Sequence, residues 1–121
     1  SIPKTADELR AQMDLVVHNR RQLNITLNDL ISNVSSLMSE KEKLLDAISI
    51  LIRDISTKGA AGKPIEKEQA LLQTLSKQFA TLEQMISREE ARMETAKKAL
   101  ENNRNDYLLL SSQLFKLAKK R

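Results

Sequence analysis

Gly59-Ala60-Ala61-Gly62-Lys63-Pro64 holds both glycines and one of the two prolines of a 121-residue chain, and its reading decides the fold. Gly59 suits the left-handed residue that follows a helix C-terminus. Pro64 suits the first turn of a following helix, where a missing N–H costs nothing. The stretch therefore predicts two helices with one break: helix 1 over about 5–57, a loop over 58–63 and helix 2 over about 64–120. Upstream, Thr5-Ala6-Asp7-Glu8 reads as a capping box at the start of helix 1. Downstream, Glu66 and Glu68 put negative charge at the start of helix 2, and the basic C-terminal residues complement its end.

Outward from the break, both segments carry a heptad repeat, written abcdefg with a and d on the seam. In helix 1 it runs through fourteen positions from Leu9 to Ile55, all apolar except Arg20 and Lys41. In helix 2 it runs through sixteen positions from Ile65 to Leu117, with Glu68, Glu89 and Asn103 as the polar exceptions. A 3.5-residue period implies a left-handed supercoil. The loop is too short for parallel helices, so the pair should fold back as an antiparallel hairpin, with residues at equal height numbered to sum to about 123. That register sets Leu44 level with Phe79, Leu37 with Ile86, Leu30 with Met93 and Leu23 with Leu100. It also brings Arg20 level with Asn103, a polar layer of the kind that fixes register at some expense of stability. At 1.5 Å per residue, such helices give a rod on the order of 80 Å.

Composition agrees with this all-α reading. Ala, Glu, Lys, Leu and Arg make up 60 of the 121 residues, with 2% aromatic residues and no Cys or Trp; such usage marks long helices. The sparse turn residues exclude a sandwich or barrel. The lack of Cys removes disulfides, thiolate metal sites and cysteine nucleophiles, and fits either redox compartment. No apolar run approaches a membrane span and no signal peptide opens the segment, which leaves its localisation open. Beginning at Ser1-Ile2-Pro3 without Met and ending on Lys119-Lys120-Arg121 without a helix stop, the chain reads as a single helical-hairpin domain taken from a longer protein, or as a processed one. Of the net charge of +4, residues 1–30 contribute nothing, 31–57 contribute −1 and 58–121 contribute +5. Lys116, Lys119, Lys120 and Arg121 account for four of those positive charges.

No catalytic constellation emerges, and no enzyme activity, cofactor, metal or small-molecule substrate is expected. His18 is the sole histidine, at an outward position with no second His or Cys to complete a site. Glu68 and Glu89 lie on the seam about 30 Å apart along one helix, too far to act as an acid–base pair, and each is expected to reach a Lys or Arg or to mark where the seam opens to a partner. The loop lacks the spacing, the Ser or Thr after Lys63 and the preceding strand of a phosphate-binding loop.

The informative feature is apolar surface beyond what two helices bury. The e positions Val17, Ile31, Met38, Leu45 and Ile52 of helix 1 are apolar, broken only by Asn24, whereas Gln69, Ser76, Glu83, Glu90, Lys97 and Arg104 at the e positions of helix 2 are polar. An a, d, e face normally contacts two helices, so helix 1 needs another partner. Leu15, Leu108, Leu109 and Phe115 form a second candidate apolar patch where both termini emerge.

These residues point to a protein partner, either a second copy or another helix. The expected role is an interaction and assembly module that docks helices and associates into a four-helix bundle. A rigid stalk or spacer in a larger machine is the alternative, with Lys58, Lys63 and Lys67 giving the loop tip a small basic surface. Polyanion contact through the basic tail is a second alternative. Against nucleic acid or membrane, the other positive residues are interleaved with Glu, and Phe79, Tyr107 and Phe115 make no stacking array. In shape alone the reading resembles the helical hairpins of bacterial secretion-apparatus stalks and translocator ectodomains, of synthetase tRNA-binding arms and of motor stalks. Heptads carry no functional residue over from any of them.

Overall fold

The computed structural model describes residues 5–120. The readings placed on Ser1, Ile2, Pro3 and Arg121 lie outside the described residues. Two long helices, α1 (Ala6–Ala60) and α2 (Glu66–Lys119), pack against each other as a helical hairpin, with no strand among the described residues.

Thr5 caps α1. The Glu8 backbone N–H donates to Thr5 Oγ1 at 3.1 Å, and the Thr5 hydroxyl donates to the Glu8 carboxylate at 3.1 Å. One orphan donor of the first turn is thereby satisfied, a cap of about 1 kcal/mol.

The break differs from the sequence expectation. Helix 1 does not stop at 57: Lys58, Gly59 and Ala60 remain helical, and Gly62 is the residue that adopts positive φ, at 71°. The Lys63 N–H donates to the Lys58 carbonyl at 2.9 Å and the Gly62 N–H to the Gly59 carbonyl at 3.1 Å, the paired bonds of a Schellman ending. The reason is local. Ala60 and Ala61 are strong helix formers, so the helix propagates across Gly59, and the chain turns at the next residue able to take a left-handed φ without penalty. Pro64 likewise precedes the helix instead of opening its first turn. The Ile65 carbonyl accepts the first intrahelical bond, from the Gln69 N–H at 2.9 Å, and α2 begins at Glu66.

The two glycines should therefore respond oppositely to alanine. A Cβ at either would meet nothing within 4 Å, so packing is not at issue. Gly59→Ala should stabilise by about 0.5–1 kcal/mol through helix propensity and unfolded-state entropy, and Gly62→Ala should destabilise by about 1 kcal/mol through left-handed strain. Urea titrations followed by helical circular dichroism measure both. Equal signs would contradict the assignment of the turn.

The chain divides into two compact units, Ser32–Ala91 around the loop and, at the open end, Ser1–Ile31 with Arg92–Arg121. In the loop-end unit the most enclosed apolar residues are Val34 and Ile86; in the open-end unit they are Leu9, Leu30 and Ala96. Every one of the thirty heptad seam positions is buried or half-buried. Most stop at half-buried because a two-helix pair shields its seam from above and below but leaves both edges open.

Candidate interaction surface

Each edge of the seam is bordered by the residues that follow or precede it in the heptad. In an antiparallel pair the e positions of both helices border one edge and the g positions border the other. In the loop-end unit, the e edge of α1 carries Met38, Leu45 and Ile52, each about half exposed although it directly follows a shielded seam leucine (Leu37, Leu44, Leu51). The b positions beside this ridge are Ser35, Glu42, Ser49 and Ser56; across the seam the e positions of α2 are Gln69, Ser76, Glu83 and Glu90. The ridge thus stands above small and acidic neighbours. Seam residue Lys41 is drawn to this edge by Glu83, its Nζ lying 3.5 Å from the carboxylate and 5.3 Å from the Phe79 ring centroid.

In the open-end unit, Ile31 is exposed and Val17 is half-buried, which makes Val17 the least available member of the stripe. Arg20 and Asn103 do meet. Arg20 Nε donates to Asn103 Oδ1 at 3.1 Å, Asn103 Nδ2 donates to the Val16 carbonyl at 2.8 Å, and the guanidinium sits 5.1 Å from the Tyr107 ring centroid. Asn103 is only 7% exposed.

Leu15, Leu108, Leu109 and Phe115 are all exposed, but they do not share one face. At 100° per residue, Leu108 and Phe115, seven apart, project together beside the e edge, whereas Leu109 is turned a further 100° toward the g edge. Leu15 lies 200° from Val17 and borders the g edge as well. The single patch is thus two smaller ones. The reading of e positions also overlooked Leu71 and Met85, exposed g residues of α2, and Ile50, exposed at c on α1. Leu71 and Met85, fourteen residues apart at g, carry the same heptad signal as Met38 and Leu45 at e.

At the loop, Glu68 has a lysine partner. Lys58 Nζ lies 2.8 Å from Glu68 Oε1 and 3.3 Å from Asp54 Oδ2. Lys58 is therefore engaged, and the basic tip reduces to Lys63 and Lys67. The hydrogen bond from Lys58 holds the Glu68 carboxyl below its ordinary 4.5, and the bonds to Glu68 and Asp54 hold Lys58 above its ordinary 10.5. A depressed carboxylate stabilises the fold above its unfolded value and loses that contribution as pH falls through the folded one. A raised lysine stabilises below 10.5 and loses its contribution as pH climbs past it. Wild type should thus lose thermal stability below about pH 4.5 more steeply than Glu68→Gln, in melts followed by circular dichroism at several pH values. Identical slopes would show that the pair does not couple to folding.

His18 is exposed, and among the described residues no group of three His, Cys, Asp or Glu side chains is placed to hold a metal ion. No helix is long and apolar enough to cross a membrane among the described residues. Lys116, Lys119 and Lys120 are exposed at the end of the chain, with Lys119 Nζ 5.3 Å from the Phe115 ring centroid. Comparison with family models, curated proteins and solved structures finds no match to this chain.

Proposed function

We propose that this hairpin is an interaction and assembly module that acts by helix–helix docking, with association into a four-helix bundle as its working state. The observation that carries the reading is the ridge of Met38, Leu45 and Ile52, half exposed at seven-residue spacing beside an otherwise shielded seam. Isolated exposed apolar residues are ordinary on protein surfaces, but a periodic row along one helix edge is the pattern that a further helix covers. Burying such a side chain fully stabilises an interface by about 1.5–3 kcal/mol before the entropy of association is subtracted.

Sedimentation equilibrium over the micromolar range tests this. Wild type should associate, and Met38→Glu with Leu45→Glu should dissociate it while leaving helical circular dichroism intact, because neither residue lies on the seam. A wild-type chain that stays monomeric with Ile31, Met38 and Leu45 open to solvent would remove the self-association branch. The length of the helices, 55 and 54 residues, favours a rigid spacer as second reading. That role predicts that adding whole heptads to both helices alters the activity of a parent protein, and unchanged activity would count against it.

A further inference from the structure

We infer that the occupant of the Met38–Leu45–Ile52 ridge is the open-end unit of a second copy, docking through the strip Arg104–Leu108–Phe115–Lys119 of α2. This rests on the self-association reading above and names both surfaces. In the loop-end unit the b and e positions of the two helices carry Glu42, Glu66, Glu83 and Glu90 and no basic residue, and the neighbouring seam Lys41 is held by Glu83. The g and c positions of the same unit carry Lys43, Lys67 and Arg88 beside Glu40 and Asp54. The acidic excess therefore borders the apolar ridge and not the opposite edge, so the ridge calls for an apolar strip flanked by bases.

Along its own helix the strip on α2 has that chemistry; across the seam at its height stand Asp7, which is paired with Arg10, and Asp14. Arg104, Leu108, Phe115 and Lys119 lie within about 60° of one another around the helix, two apolar side chains with a cation beyond each. From Arg104 to the end of α2 the only acid is Asp106, turned 200° from Arg104. Leu108 and Phe115 are strongly exposed, Phe115 at 62%. The spacing matches as well. Leu108 and Phe115 stand seven residues apart, as do Met38, Leu45 and Ile52, so two knobs of one helix fit the two gaps between three knobs of the other. In that seating the two cations fall beyond the apolar contacts, one between the heights of Glu83 and Glu90 and the other toward Glu66, while Glu42 borders an apolar contact itself.

A charge exchange tests the pairing by sedimentation velocity at low salt, with circular dichroism to verify helicity. Glu42→Lys with Glu90→Lys makes the ridge border basic, and Arg104→Glu with Lys119→Glu makes the strip acidic. Each variant alone should self-associate about tenfold or more weakly than wild type. Their equimolar mixture should recover association, because every contact between unlike copies again joins opposite charges. Adjacent residues supply a positional test: Leu108→Ser should weaken association and Leu109→Ser, on the other flank, should not. Wild type found monomeric would overturn both this inference and the assembly reading. Association that is unmoved by the charge variants, fails to recover on mixing, or answers equally to Leu108→Ser and Leu109→Ser would overturn this inference alone.

Discussion

Leu30→Ala is expected to destabilise the hairpin by about 2–3 kcal/mol, whereas Ile31→Ala, one residue further on, should leave the dilute chain nearly unchanged. The pair separates what holds the fold from what is left over. Leu30 is a seam residue 4% exposed, and Ile31 at the adjoining e position is 45% exposed. Truncating Leu30 removes buried apolar surface and leaves a gap. The open edges of a two-helix seam let the gap collapse or fill with water, which keeps the loss in the lower part of the range for buried leucines. A drop in Tm on the order of 10 °C should follow. Concentration then divides the two substitutions. Stability of an associating chain rises with protein concentration, so Leu30→Ala should lower the transition at every concentration, and Ile31→Ala only where the oligomer is populated. Urea unfolding by circular dichroism at dilute and at high micromolar concentration measures this. A large loss from Ile31→Ala in the dilute chain would mean that Ile31 is core.

The seam was legible because its signal is periodic and redundant. Leu9, Leu30, Ile86 and Ala96 each fall where the 3.5-residue count puts them, and no single error in the count could move all of them off the shielded side. The meeting of Arg20 with Asn103 followed from the same count plus the position of the loop. The helix end was less legible because it depends on one residue. Gly59 and Gly62 are both competent stops, and the choice was made by the alanines between them, whose helix propensity carried α1 three residues past the expected end. The grouping of Leu15, Leu108, Leu109 and Phe115 failed for a different reason: equal height along the hairpin says nothing of angle around the helix, and neighbours such as Leu108 and Leu109 diverge by 100°.

Asn103→Ala should cost about 1–3 kcal/mol, while replacing both Arg20 and Asn103 with leucine should be neutral or stabilising, and the contrast identifies what the polar layer does. Asn103 accepts from Arg20 Nε and donates to the Val16 carbonyl from a buried position. Its removal strands a half-shielded guanidinium beside Tyr107, and a charged donor that loses its acceptor accounts for the loss. A leucine pair has no such requirement and extends the apolar seam. It also removes the penalty on slipped pairings, because a shift of one heptad would set Arg20 against Ala96 or Leu110, an arginine within an apolar layer. The double variant should therefore hold or raise Tm while losing uniqueness of register. The chain has no cysteine, so spin labels on cysteines introduced at exposed Gln22 and Asn102 report register directly. Pulsed distance measurements should give one narrow distribution in wild type and a broader or doubled one in the leucine pair. A single narrow distance together with a raised Tm would show that loop and hydrophobic pattern alone fix the register; a lowered Tm would make the layer a source of stability instead.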